Sequence, residues 1–353
     1  MSELKQQLLT SADFLALTRA NPDYLAPFSH TLSFGQSQRQ VNMHVLDTGV
    51  VCFEPAAQTT DSDIVLSCAV HGNETAPIEI CQQLIEQIIN GQLPLTQRVL
   101  FLFGNPPAIN LGQRFVEENL NRLFSGAHSQ GEGLCNAERR RAKALEQFVA
   151  DFFAQGAKLS AQRKRLHYDL HTAIRASKND KFAVYPYLHG EPRNKEQLQF
   201  LLKCGINTVL LSNSPTTTFS YFSARQFGAH AFTVELGKVR PFGENDMENF
   251  ADCQTALYRL LSGQELQLKP FDLADFNLFK IFKIINREQQ DFVLHFAEDA
   301  PNFSDFEQGY LLATDGDQEH RVTEPGEAII FPNADVAIGQ RALLTVIPCS
   351  LDE

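Results

Sequence analysis

The chain has no tryptophan and only 3 methionines, whereas phenylalanine reaches 28 of its 353 residues. Phenylalanine therefore fills the aromatic part of the core, a packing choice that carries no functional message. Basic charge is also scarce. Against 42 Asp and Glu stand 30 Lys and Arg, for a net charge of −12. Binding by phosphate neutralisation needs the opposite sign, so nucleic-acid partners are excluded on charge grounds, as is an anionic membrane surface. A small anionic substrate would require local arginines that overcome the global field. No apolar run is long enough to cross a bilayer. The polar, helix-like N-terminal segment lacks the basic region and apolar stretch of a signal peptide. The 7 cysteines (Cys52, Cys68, Cys81, Cys135, Cys204, Cys253 and Cys349) are odd in number and include no C-x-x-C pair. Scattered reduced thiols are expected, in keeping with a soluble cytoplasmic protein. H-E-x-x-H is absent too, which removes the helix-borne metalloprotease pattern.

What is present has the texture of an α/β protein. Residues 3–20 follow a rough helical period, and residues 29–54 alternate as strands do, with a turn signal at Asp47-Thr48-Gly49. Residues 64–70 and 98–104 are continuous apolar runs, as suits strands buried on both faces. Helical patterns at 76–90, 138–153, 194–203 and 246–262 alternate with short strand candidates at 166–170, 208–211 and 231–236. This alternation predicts a mainly parallel sheet flanked by helices over residues 1–262. Beyond it, strand candidates at 276–285, 291–296, 310–314, 327–331 and 341–348, punctuated by turn clusters, predict a smaller all-β domain over residues 263–353.

Four segments could carry chemistry. His71-Gly72-Asn73-Glu74 reads H-x-x-E directly after the first apolar run. His171, in Asp169-Leu170-His171-Thr172-Ala173-Ile174-Arg175, also ends a strand candidate. Two histidines and a glutamate make a three-ligand set of the kind that catalytic zinc uses, leaving the fourth position to water. Taken alone, H-x-x-E is a common pattern and His171 could be a satisfied core histidine. Asp169 could serve as an outer acceptor for a liganding imidazole, with no indication of which one. The stretch from Gly104-Asn105-Pro106 to Arg114 and Glu118-Asn119-Leu120-Asn121-Arg122 brings two arginines into an acidic chain. Arginine's planar fork matches a carboxylate, although exposed arginines on a capped loop read the same way. Glu235 lies inside the apolar pattern Thr233-Val234-Glu235-Leu236-Gly237-Lys238. Desolvation disfavours its charge, which suits a general base, unless it simply pairs with Lys238.

In this order, H-x-x-E, N-P-x-A…R…N-R, D-L-H-T-A-I-R and V-E-L-G-K resemble the succinylglutamate desuccinylase/aspartoacylase family of zinc carboxypeptidase-like hydrolases. The likeness spans most of residues 64–243. Residues 169–175 and 234–239 look most like the desuccinylase branch, from bacterial arginine catabolism. The aspartoacylase branch usually shows Asp where this chain has Asn119. The resemblance implies a zinc carboxypeptidase-like fold with one zinc per subunit, held by His71, Glu74 and His171. Glu235 would be the catalytic carboxylate and Arg114 would face the scissile carbonyl. Asn121 and Arg122 would bind a substrate carboxylate. The implied reaction cleaves the amide of N-succinyl-L-glutamate. That substrate bears three carboxylates, which makes Arg175 a further binding candidate. Arg225, Lys238, Arg240 and the hydroxyl-rich 212–220 segment are weaker ones. An aspartoacylase-like deacylase, a zinc carboxypeptidase and a non-catalytic metal-binding module are the competing readings. Oligomeric state is not legible.

Overall fold

The computed structural model describes residues 3–35, 39–56 and 60–351. Two short helices open it, α1 (Glu3–Ser11) and α2 (Phe14–Ala20). The expected single helix over 3–20 is broken because Ala12 adopts a left-handed φ of 55° and the Asp13 carboxylate caps α2, accepting from Ala16 N. Strands β1 (Phe28–Phe34), β2 (Arg39–Asp47) and β3 (Val50–Pro55) form an antiparallel meander. The alternating layer then begins: β4 (Ser62–Cys68), α3 (Thr75–Ile89), β5 (Arg98–Phe103), α4 (Pro106–Leu111), α5 (Ala137–Leu159) and β6 (Lys164–Ala173). It continues through β7 (Phe182–Tyr185), α6 (Lys195–Lys203), β8 (Thr208–Leu211), α7 (Phe219–Phe227), β9 (His230–Lys238) and α8 (Ala251–Ser262). Strands β10 (Asn277–Asn286), β11 (Val293–Leu294), β12 (Ser304–Asp305), β13 (Leu311–Asp315), β14 (Gln318–Arg321), β15 (Ala328–Ile330) and β16 (Arg341–Pro348) complete the chain.

A 13-stranded mixed sheet runs in the order β1-β2-β3-β5-β4-β6-β9-β7-β8-β10-β16-β15-β12. Its centre, β5-β4-β6-β9, is parallel. Burial explains why β4 reads as an unbroken apolar run. Ile64, Leu66 and Cys68 belong to the same buried cluster as Ile78, Cys81 and Ile85 of α3. On the opposite face Val65 packs with Leu145, Val149 and Phe153 of α5 and Phe219 of α7. With helices on both faces, neither set of β4 side chains meets water. The far end of β4 is fastened by buried Asp63, which pairs with Arg98 at 2.5 Å and Arg163 at 2.9 Å.

The sheet does not stop with the helical region. β10 pairs in parallel with β8 and antiparallel with β16, so the C-terminal strands extend the same sheet. A second, 3-stranded sheet, β11-β13-β14, packs in the C-terminal β region. No described helix is long and apolar enough to cross a membrane, and no disulfide joins the described cysteines.

Candidate metal and catalytic site

The site lies at the carboxyl ends of the central parallel strands, where open α/β sheets bind ligands. After β4 the chain turns through Ala69, whose φ is 54°, and delivers His71, only 2% exposed. Gly72 is required by packing. A Cβ there would lie 2.2 Å from the Ala108 carbonyl carbon of α4, a backbone contact that no side-chain motion relieves. Gly104 meets the same loop from the β5 side, where a Cβ would stand 2.8 Å from Val70 Cα. The two strand-end loops are thus pressed together. Glu74 occupies the N-cap position of α3 yet makes no side-chain cap bond. Its carboxylate turns instead to the histidines.

Oε1 of Glu74 lies 2.9 Å from His71 Nδ1, and Oε2 lies 2.9 Å from His171 Nδ1. One ligand atom from each of His71, Glu74 and His171 can be chosen so that all lie within 4.8 Å of one another, and all three residues are buried. Two imidazoles and a carboxylate are a donor set suited to a divalent metal such as zinc. The outer ring nitrogens are also engaged. Asp169 Oδ2 is 3.0 Å from His171 Nε2, so it is His171 that Asp169 orients. Asn119 Oδ1 is 3.0 Å from His71 Nε2. These contacts fix the ring planes and leave both Nδ1 atoms facing inward. Asp169 is held in turn by the Ser67 hydroxyl at 2.5 Å, and Ser67 meets His167 Nε2 at 2.8 Å.

Electrostatics separates the histidines. Burial, assisted by Arg114, pushes His71 down to about 4. Burial also opposes charge on His171, but Asp169 and Glu74 outweigh it and hold His171 well above the ordinary histidine value. Burial disfavours the Glu74 carboxylate as well. The two imidazoles nevertheless keep it well below the usual range.

Glu235 stands beside His171 in the β6–β9 register. It is buried, and its Oε2 has no hydrogen-bond partner. Lys238 is exposed at the end of β9, so the simple Glu235–Lys238 pair is not what the fold makes. Burial, only partly offset by His171, pushes Glu235 up to about 7. An unpaired carboxyl poised near neutrality is suited to proton transfer.

Arg114 donates from Nη1 to Glu74 Oε1 at 2.8 Å, and its side chain is 32% exposed. Arg122 and Asn121 end a short 3-10 turn capped by Asn119, which accepts from Asn121 N at 3.0 Å. The Asn121 side chain is itself engaged, with Oδ1 accepting from Phe219 N at 3.2 Å. Arg175 points to the C-terminal strands, its Nε donating to Pro332 O at 3.0 Å. Arg225 and Arg240 are exposed. Within the hydroxyl-rich segment, Thr218 caps α7, and Ser220 bonds Thr233 at 2.8 Å. Two structural roles escape sequence reasoning. Asn119 holds His71, and buried Glu138 accepts from the backbone N–H groups of Val116 and Glu117 at 2.7 and 3.2 Å. Each joins segments whose proximity no local pattern announces.

The family pattern described as "Succinylglutamate desuccinylase/Aspartoacylase catalytic domain" matches residues 60–261, which contain every one of these site residues. The chain belongs to the succinylglutamate desuccinylase/aspartoacylase family. That family's "AstE/AspA barrel-sandwich hybrid domain" matches residues 274–349. The chain is 53% identical over 339 residues to a succinylglutamate desuccinylase of Shewanella pealeana, covering 96% of each chain. To the corresponding protein of Shewanella frigidimarina it is 54% identical over 341 residues, covering 97% of each. Among solved structures, a succinylglutamate desuccinylase of Vibrio parahaemolyticus superposes with a TM-score of 0.84 at 35% identity, covering 96% of each chain. That of Chromobacterium violaceum gives 0.82 at 38%, covering 97% of this chain and 99% of the other.

Proposed function

We infer that this family member is a succinylglutamate desuccinylase, a metal-dependent hydrolase that cleaves the amide of N-succinyl-L-glutamate to succinate and L-glutamate. Its place is in arginine catabolism by the succinyltransferase route. The relatives of that name, matched over nearly the whole chain, support the substrate. The observation that carries the chemistry is Glu235, buried with an unpartnered oxygen directly beside His171. A structural metal site would have no use for such a carboxyl, which disfavours a non-catalytic module.

We assign one zinc per subunit to His71, Glu74 and His171. When bound there, zinc supplies Lewis acidity toward the carbonyl and lowers the pKa of water to about 7. Glu235 accepts the proton of the attacking water at its free oxygen and delivers it to the leaving amine nitrogen. Arg114, beside Glu74, donates to the scissile carbonyl as negative charge grows on its oxygen. Loss of one such donor typically raises the barrier by about 3 kcal/mol. Asn121 and Arg122 hold a substrate carboxylate, and Asp169 and Asn119 keep the two imidazoles in place.

Turnover of N-succinyl-L-glutamate should exceed that of N-acetyl-L-aspartate in the zinc-loaded protein. Chelation should abolish it, and Glu235→Gln should retain zinc while losing most activity. Faster hydrolysis of the acetyl substrate would overturn the substrate assignment. Parental activity in the Gln variant would overturn the role of Glu235.

A further inference from the structure

Arginines crowd one side of the site although the chain as a whole is acidic. Arg114 and Arg122 come from the loop after α4. Arg341, which nothing in the surrounding sequence singles out, is the first residue of β16, far along the chain in the C-terminal β region. Geometry brings it in through a chain of contacts. Phe182 stands opposite Glu235 in the β7–β9 register. The Phe182 ring packs 5.7 Å from that of Phe331, and the Arg341 guanidinium lies 5.7 Å from the centroid of the Phe331 ring. The segment between Phe331 and Arg341 is also tied to the helical region by Arg175, through Pro332 O.

Arg114 has a carboxylate partner in Glu74, whereas the other two guanidinium groups lack the anions that normally accompany them. Among the described residues, neither Arg122 nor Arg341 forms an ion pair with a carboxylate. Arg122 bonds the neighbouring Asn121 carbonyl, at 3.1 Å. Arg341 Nε is buried without a partner, and so is Arg175 Nη1. Burial and the nearby Arg122 and Arg114 charges hold Arg341 well below the ordinary arginine value. Burial and Arg114 push Arg122 down to about 10. Unpaired buried donors and mutually repelling charges are costly in a stable fold. An anionic group seated among them would relieve both penalties.

We propose that Arg341 joins Arg122 in binding one carboxylate of the substrate, so that the C-terminal β region supplies a specificity-determining residue to the active site. This rests on the reading of the substrate as a tricarboxylate. Arg341 then provides a fork of donors that zinc and Arg114, occupied with the scissile carbonyl, do not.

The test compares Arg341→Gln and Arg341→Lys with the parent on N-succinyl-L-glutamate and on three analogues. Each analogue replaces a different carboxylate: N-butyryl-L-glutamate, N-succinyl-L-norvaline, and N-succinyl-L-glutamate α-amide. Zinc content and circular dichroism establish that the variants are folded. Arg341→Gln should raise KM for the full substrate by about 10- to 100-fold, the range expected for a lost charged hydrogen bond, with little change in kcat. The penalty should vanish for the one analogue lacking the carboxylate that Arg341 holds, and lysine should restore part of the affinity. An equal penalty on all four compounds, or none on any, overturns the proposal. A separate arm needs no turnover. Succinate or L-glutamate should raise the melting temperature of the parent, and Arg341→Gln should lose that protection. Equal protection of both proteins also overturns the role of Arg341. Failure of the parent to hydrolyse N-succinyl-L-glutamate instead overturns the substrate reading alone.

Discussion

The amide oxygen of Asn119 lies 3.0 Å from Nε2 of His71, while Nδ1 of the same ring faces Glu74 at 2.9 Å. With Nε2–H donating outward, the Nδ1 lone pair is left for a metal. A neutral amide does here what a carboxylate, Asp169, does for His171. The two imidazoles are therefore oriented by acceptors of unequal strength. The aspartate expected at this position in the aspartoacylase branch would make them equal.

Asn119→Asp should consequently tighten zinc binding, because a charged acceptor raises the basicity of His71. Asn119→Leu should weaken binding about 10- to 100-fold, the usual cost of losing an outer partner. The aspartate also retains an acceptor for Asn121 N, so the turn survives in that variant. Competition titration against a chromophoric chelator measures both. Unchanged affinity in the two variants would show that Asn119 matters only to the turn.

Glu235 gives a stability prediction in the metal-free protein. Its pKa is about 7 when folded, against an ordinary value of 4.5. Between those values the folded state holds the proton more tightly, so protonation stabilises the fold. That contribution is fully present below about 4.5 and is lost as pH rises through about 7. Glu235→Gln never has to bury the charge. The chelated variant should match the parent near the lower value and exceed it by on the order of 3 kcal/mol above the upper one. Urea denaturation across that pH range provides the measurement. A gap that stays flat with pH would place the Glu235 titration elsewhere.

The candidate ligand set, His71, Glu74 and His171, was legible because its parts have local signatures. β4 is covered on both faces and so reads as an uninterrupted apolar run, and His71 and Glu74 follow it directly. Glu235 is conspicuous as a carboxyl within an apolar strand. What stayed hidden depends on distant pairing. Ser and Thr from 212 to 220 read as a loop, but Thr218 is the cap of α7, and Ser220 is spent on Thr233. Residues 182–185 are too short a run to announce β7, although Phe182 neighbours Glu235. The pairing of β8 with β10 carries the sheet into the C-terminal strands, and no periodicity in either strand specifies its partner.

Glu138 offers the remaining test, of how the Arg114 loop is held. It lies in the first turn of α5, where the helix dipole favours a carboxylate. Its Oε1 accepts from Val116 N at 2.7 Å, Glu117 N at 3.2 Å and Asn105 Nδ2 at 3.3 Å. Asn105 in turn caps α4. A single buried oxygen thus links the β5–α4 loop, the segment that follows Arg114, and α5. Glu138→Ala should cost about 1–3 kcal/mol of stability for the donors left unsatisfied. It should also lower kcat/KM by freeing Arg114 from its position against Glu74. If Glu138 acts on activity through Arg114, the two losses will not add. In the Arg114→Ala background, Glu138→Ala should reduce kcat/KM far less than it does in the parent. A double-mutant cycle reads this coupling directly, and full additivity would mean that Glu138 supports the site by some route other than Arg114.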